Sequence, residues 1–329
     1  MPTISKPDFL RSLRIESGTF DGDALTLYTV MRDEAFFLPA FLDHHRGIGV
    51  EQFLILDDGS EDGTGELLAA QPDVVRLSCP HRYGAELDLR GRWLTRRRRA
   101  GIAFKELAPD RFFRGRWALY VDADEFLLLP PGVRALREVV ARLDAGRASC
   151  CAASVVETFP EDLGGLAPHP PARTLRDLLD RYPLIEPHPV LAPRRGRQAR
   201  YAGPSKTDML YGRHGVPGSA GSARYKTPLV RHAWPTRRRG SHKANRAPSP
   251  EVMLTMLHFV FTADFRAKIE RARTWKAHVG GAASYDRYDA LLAAMERGDG
   301  RFASPTSVPL RDAGQLVASG LMRWPDAPR

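Results

Sequence analysis

The amino-acid sequence predicts an α/β fold: a mostly parallel sheet flanked by helices, with a helical extension towards the carboxyl terminus. Two observations carry this. Short β-rich apolar runs alternate with amphipathic stretches over the first 130 residues, in the order β-α-β-α-β-α-β. Such alternation implies parallel strands with helices on both faces. Two of those runs, Phe53-Leu-Ile-Leu56 and Leu119-Tyr-Val121, also lead directly into closely spaced carboxylates. In open α/β sheets, ligands bind outside the carboxyl ends of the strands.

Residues 1–22 read as a polar arm ending in turn residues. Residues 25–30 alternate and are rich in β-formers, which predicts the first strand. Met31-Arg32-Asp33-Glu34 ends it, and a helix follows over 34–46 with Phe37, Leu38, Phe41 and Leu42 on one face. Gly47 and Gly49 stop that helix. The second strand is 53–56, and the next helix spans 61–70, with Glu61 and Asp62 where acids suit the helix dipole. Residues 74–77 form the third strand, and a polar loop with Gly84 and Gly91 leads to an Arg-rich helix over 92–107. The fourth strand, 117–121, ends in Asp122.

Beyond residue 130 the pattern loosens. A helix over 133–145 and a strand over 151–156 precede a stretch, 157–250, that holds most of the prolines and many Gly and Arg. Within it only a helix near 173–181 and strands near 188–192 and 226–231 stand out. This is loop material suited to a substrate cleft. Periodicity returns at 251–277 and 284–297, as a strand or helix start followed by two helices, and the tail from 299 reads as surface wrapping. The expected organisation is an arm (1–22), a main domain (23–262, with halves 23–130 and 131–262) and a helical extension (263–329).

A hydrophobic content of 43% suffices for a core, and the net charge is +10. Of the 49 basic residues only seven are Lys; Arg occurs in runs at 96–99, 194–197 and 237–239. Such a balance suits anionic partners: nucleotide diphosphates, nucleic acid or an acidic membrane face. The three cysteines, Cys79, Cys150 and Cys151, have no zinc spacing and read as buried thiols in a reducing compartment. No apolar run reaches the roughly 18 residues of a membrane span, and the first residues lack a signal-peptide core. The expectation is a cytoplasmic protein, with peripheral contact at the inner membrane face through the Arg clusters.

The carboxylates carry the chemistry. Asp122 and Asp124, one residue apart at a strand end, can point outward together and share a hard cation. Upstream, Asp57-Asp58-Gly59-Ser60-Glu61-Asp62-Gly63-Thr64 follows another apolar strand.

Three segments, in this order and with these gaps, resemble inverting glycosyltransferases of family 2, which have the GT-A (Rossmann-like) fold. They are Met31-Arg32-Asp33-Glu34-Ala35 with Phe37-Leu38 and His44-His45, then Leu56 to Thr64, then Val121-Asp122-Ala123-Asp124-Glu125-Phe126. Downstream, Gly240-Ser241-His242 and Leu257-His258-Phe259 resemble the end of a bacterial subgroup, where such an element precedes an amphipathic helix carrying Lys; here that helix holds Phe265, Lys268 and Ile269.

The resemblance implies a metal-dependent inverting enzyme of class EC 2.4, of the kind used in polysaccharide biosynthesis. It would move a sugar from a nucleotide-diphosphate donor, UDP-sugar ahead of GDP-sugar, to a hydroxyl of a glycan, lipid-linked or small-molecule acceptor. Asp58 would accept from the base or ribose, with Asp57 closing the turn; Glu34, Asp122, His242 and Lys268 would line the nucleotide site. Asp122, Asp124 and His258 would hold Mn²⁺ or Mg²⁺, which neutralises charge on the leaving diphosphate. Glu157, ahead of Asp162, is the expected base for the acceptor hydroxyl.

The alternative is a nucleotidyltransferase, although 31–39 lacks the glycine-rich loop such enzymes place after strand one. A basic nucleic-acid-binding protein is further off. Trp93 and Trp234 flank basic runs, but the acidic strand ends argue against a nucleic-acid partner.

Overall fold

The computed structural model describes residues 3–90, 95–188, 191–192, 200–201, 210–216, 224–240, 242–275 and 283–325. Trp93, Arg194 to Arg197 and Ser241, singled out above, lie outside the described residues. The fold is mixed α/β. In chain order its first part contains β1 (Thr3–Ser5), α1 (Lys6–Ser12), β2 (Arg14–Ser17), β3 (Thr26–Met31), α2 (Leu38–Gly47), β4 (Gln52–Asp57), α3 (Thr64–Ala69) and β5 (Val74–Ser78). Then come β6 (Glu86–Arg90), β7 (Thr95–Arg99), α4 (Ala100–Phe112), β8 (Trp117–Tyr120), β9 (Glu125–Leu128), α5 (Leu136–Ala145) and β10 (Cys150–Glu157). The remainder contains α6 (Leu175–Arg181), β11 (Tyr225–Arg231), β12 (Met253–His258), α7 (Phe265–Trp275), α8 (Ala283–Arg297) and α9 (Ala313–Ala318), besides strands of two residues.

The chain forms two compact units. Unit one comprises Met1–Ala123, Arg134–Cys151 and Thr227–Ser249; unit two comprises Asp124–Val133, Ala152–Lys226 and Pro250–Arg329.

In unit one the strands run β2-β5-β4-β3-β8-β11. The pairs β5/β4, β4/β3 and β3/β8 are parallel, and the outer pairs are antiparallel. Strand β4 is buried at every position, which is why it reads as an unbroken apolar run rather than an alternating one. The registers Met31↔Asp57 and Tyr28↔Tyr120 bring the carboxyl ends of β3, β4 and β8 to one end of the sheet. Leu54, Leu56, Val75 and Leu77 pack there with Phe104, Phe112 and Phe113 of α4 and its C-terminal end.

Two expectations are corrected in this unit. Residues 3–17 are not a polar arm: Phe9 and Leu13, one helical turn apart, are buried in the same core. The Arg run is not helical: Arg96 to Arg99 lie on β7, antiparallel to β6, and the helix begins only at Ala100. Arg is a good helix former, so the run looked helical. Pairing with β6 overrides that propensity and puts successive guanidiniums on opposite faces, with Arg97 3.8 Å from Asp88 and Arg98 3.3 Å from Glu106.

In unit two, β10 pairs β12 in parallel from Ala152↔Met253 to Glu157↔His258, and β12 pairs β9 antiparallel with His258↔Glu125. The stretch 251–277 therefore resolves into a strand and then a helix. On α7, Phe265, Ile269 and Ala272 recur at helical spacing and are buried with Phe261, Leu291, Leu292, Met295 and Phe302. The tail does more than wrap the surface: Leu316, Leu321 and Met322 are buried, and Arg323 exchanges backbone hydrogen bonds with Met253. Cys150 and Cys151 are buried free thiols, Cys79 a partly buried one. Among the described residues no helix is long and apolar enough to cross a membrane.

Candidate functional site

In unit one the loops after β3 and β4 are knitted together by the polar side chains of the 57–64 segment. Gly59 and Gly63 take positive φ (74° and 93°) and turn the chain sharply. Asp57 accepts from the Ser60 backbone N–H (2.9 Å) and hydroxyl (2.8 Å) and pairs with Arg76 (2.7 Å). Burial pushes its carboxyl up, but the Ser60 and Arg76 contacts outweigh that and leave it below the usual range. Asp57 thus closes the turn, as expected. Asp62 accepts from Thr64 and from the Ala35 N–H (2.9 Å); Thr64 Oγ1 accepts from the Glu34 N–H (2.9 Å), and Ser60 Oγ from the Asp33 N–H (3.1 Å).

Asp58 differs. Its Oδ1 accepts from the Tyr83 N–H (2.9 Å), while Oδ2 is buried with no hydrogen-bond partner. Burial pushes its carboxyl up to about 6, against the pull of the Tyr83 N–H, Arg82 and Arg32. Arg82 also donates to the Asp58 carbonyl. A buried acceptor without a donor is costly, and this one stands at the carboxyl end of a parallel strand.

Asp122, beyond β8 at the same end of the sheet, accepts from the Tyr120 hydroxyl (2.7 Å) and from Lys105 Nζ (3.2 Å). The Lys105 side chain is 4% exposed and its ammonium lies 4.9 Å from the centre of the Tyr120 ring. Burial, and then the neighbouring Asp122, hold the Tyr120 phenol well above its usual range.

In unit two the aligned ends of β10, β12 and β9 bring Glu157, His258 and Glu125 side by side. His258 Nδ1 lies 2.9 Å from Glu157 Oε1, and its Nε2 lies 3.6 Å from Asp124 Oδ2. Lys268, from α7, donates to that same Asp124 oxygen at 2.6 Å. Burial pushes the Asp124 carboxyl up, but Lys268 and His258 prevail and hold it far below the usual range. Glu125, fully buried, is ion-paired with Lys226.

The other expected residues are Glu34, His242 and Asp162; the Glu34 N–H belongs to the network around Thr64 described above. Glu34 sits in the loop after β3, four residues before α2 begins, and its carbonyl accepts from Phe37 and Leu38. His242 is exposed, and its carbonyl accepts from the Thr227 N–H (2.8 Å). Asp162 is exposed and caps a short 3₁₀ turn through the Gly164 N–H (2.8 Å).

The sequence reading missed Lys105, Lys226 and Tyr120. A signal existed for the lysines: both stand in apolar surroundings, and a buried Lys needs a carboxylate.

The residues present do not fit the expected divalent cation. Asp122, Asp124 and Glu125 each already carry their own lysine. Among the described residues, no group of three His, Cys, Asp or Glu side chains is arranged to hold a metal ion. A dication at Asp124 would sit against an ammonium in direct contact with the same oxygen, and like charges at such range repel strongly.

No protein-family model matches the chain. Over 144 residues it is 26% identical to a glycosyltransferase family 92 protein of Oryza sativa subsp. japonica, a match covering 43% of this chain and 22% of that protein. The chain thus spans about a fifth of the length of the curated relative it matches. Among solved structures it is similar to S. aureus TarS, with a TM-score of 0.27 and 12% identity over 41% of this chain and 21% of that one. In sequence, therefore, two fifths of the chain is similar to a glycosyltransferase, of family 92 rather than family 2.

Proposed function

We propose that this chain is an inverting glycosyltransferase that takes a sugar from a nucleotide-diphosphate donor, UDP-sugar ahead of GDP-sugar, and passes it to a hydroxyl acceptor. The observation that carries the reading is Asp58: a buried carboxylate oxygen, without a partner, at the carboxyl end of β4. A nucleoside supplies the missing donor, either a base ring N–H or a ribose hydroxyl. The other polar side chains of the same loop are already engaged, so Asp58 is the group left to meet a ligand.

In unit two, Glu157 is the proposed base. Its hydrogen bond with His258 Nδ1 fixes the carboxylate's orientation. In the transfer the acceptor oxygen forms the new bond to the sugar carbon as the bond to the diphosphate oxygen breaks, and the acceptor proton passes to Glu157. Asp162, exposed and occupied in capping a turn, is not part of this proposal.

The similarity to a glycosyltransferase family 92 protein supports a sugar-transfer reading over nucleotidyl transfer. The test is titration calorimetry of the full chain with UDP and GDP. Micromolar binding by one of them, lost in Asp58→Asn, is the expected result. Absence of binding by either nucleotide under every metal condition overturns the reading.

A further inference from the structure

We propose that the loop carrying Trp234 is a membrane-docking surface, which seats unit one on the headgroups of an anionic bilayer. The surface belongs to unit one alone and owes nothing to the sugar-transfer reading.

Trp234 is 86% exposed, against 43% for Ile15 and 38% for Leu67, the other exposed large hydrophobic residues among those described. An indole left in water forgoes one of the largest apolar burials a side chain can make. The membrane–water interface suits it, because the ring enters the lipid while the N–H stays wet.

The charge around it comes from three segments that run side by side. The His232 N–H donates to the Arg116 carbonyl (2.7 Å), and the Gly115 N–H to the His232 carbonyl (2.9 Å). The Asn245 N–H donates to the Arg237 carbonyl (2.9 Å), and the Asn245 side-chain amide to the Pro235 carbonyl (2.8 Å). Residues 237–239 thus pair antiparallel with 243–245. Successive side chains of a strand point to opposite sides. Arg238 is buried and donates to the Tyr28 hydroxyl (3.0 Å), so Arg237 and Arg239 turn outward, and both are exposed. Arg114 and Arg246, on the adjoining segments, are exposed as well. The nearby acids Asp23 and Asp144 are taken by Arg116 (2.8 Å) and Arg231 (3.3 Å). Among the described residues, Arg114, Arg237, Arg239 and Arg246 have no carboxylate partner.

Four unneutralised guanidiniums around one exposed indole match an anionic lipid surface. A second copy of this chain would set the same four charges against themselves across a two-fold contact. Single-stranded nucleic acid calls for aromatic platforms in succession, and Trp234 is the one exposed Trp, Tyr or Phe among the described residues.

The test is co-sedimentation of the full chain with two kinds of vesicle, phosphatidylcholine alone and phosphatidylcholine with about one-third phosphatidylglycerol. The wild type is compared with Trp234→Ala and with the double variant Arg237→Glu, Arg239→Glu. The wild type should bind the anionic vesicles about tenfold or more tightly than the neutral ones, and high salt should release it. Trp234→Ala should weaken that binding by about tenfold. The double variant should weaken it by about 30-fold or more, at roughly fivefold for each cation lost near the surface. No binding to either vesicle, equal binding to both, or anionic binding unchanged in Trp234→Ala overturns the inference. So does a single-stranded oligonucleotide bound by a chain that ignores vesicles, or a dimer in sedimentation velocity that Trp234→Ala dissolves. The substituted side chains are exposed, so circular dichroism should match the wild type. Where a variant fails to fold, the lipid and salt dependence of the wild type decides.

Discussion

The two acidic strand ends look alike in the sequence and are opposites in the structure. After β4, the segment 57–64 ties Asp57, Ser60, Asp62 and Thr64 into internal hydrogen bonds and leaves one buried oxygen, Asp58 Oδ2, without a donor. After β8, the segment 122–125 leaves no such vacancy in its charge: every carboxylate has a lysine. Paired acids at a strand end therefore do not by themselves mean a metal. What matters is which of them the rest of the chain has already answered.

The sharpest way to break this contrast is to unbalance the saturated end. Lys226→Met leaves the fully buried Glu125 without its ammonium. Breaking a buried pair from one side costs about 3–5 kcal/mol, so a marginally stable chain should lose most of its stability in denaturant unfolding. Adding Glu125→Leu should restore most of it. If the single variant melts with the wild type, the charge matching is incidental.

The unsatisfied end should respond in the other direction. Asp58 titrates at about 6 in the fold against a reference of 3.8. Between those values the folded state holds the proton more tightly than the unfolded one, so stability falls as pH rises through roughly 4 to 6 and stays lowered above it. At about 1.4 kcal/mol per unit the penalty at pH 7 is up to about 3 kcal/mol. Asp58→Asn should raise the melting temperature at pH 7 and flatten its decline across that window, while nucleotide binding falls by about 100-fold or more. A variant that is destabilised at pH 7 would place Asp58 among the structural acids.

A smaller effect sharpens the same point. A nucleoside hydroxyl or N–H needs the ionised carboxylate, so wild-type affinity should fall below about pH 6, by up to about tenfold per pH unit. Affinity independent of pH between 4.5 and 7 would remove Asp58 from the contact. Smallest of all, Asp162→Ala should cost about 1 kcal/mol or less, the loss of one exposed cap, and leave nucleotide binding untouched. A loss of turnover at retained binding would restore Asp162 as a base.

What was legible in the sequence follows from range. Strand β4 and its turn were readable because apolar run, Asp pair, Gly and Ser lie within a few residues, and local chemistry fixes such a turn. The role of Asp57 in closing that turn was readable for the same reason. The lysine partners were not, since Lys226 and Lys268 stand 101 and 144 residues from their carboxylates. Only strand register and the packing of α7 bring them there. The Arg run was misread because helix propensity is a local preference and strand pairing with β6 is not. Phe9 was overlooked because a single aromatic inside a charged stretch gives no period, though the core claims it.

The lysines also constrain how this sequence can drift. Lys and Arg codons are often one base apart, and 42 of the 49 basic positions are already Arg, which suggests a steady mutational pull in that direction. At Lys105 and Lys226 the pocket leaves the side chain almost no exposure, and a planar guanidinium with five donors would neither fit nor find partners. Substitution of Arg at an exposed lysine such as Lys243 should pass unnoticed, whereas at these two sites it should cost folding. A Lys-to-Arg scan would locate the charge-matched centre with no ligand in hand.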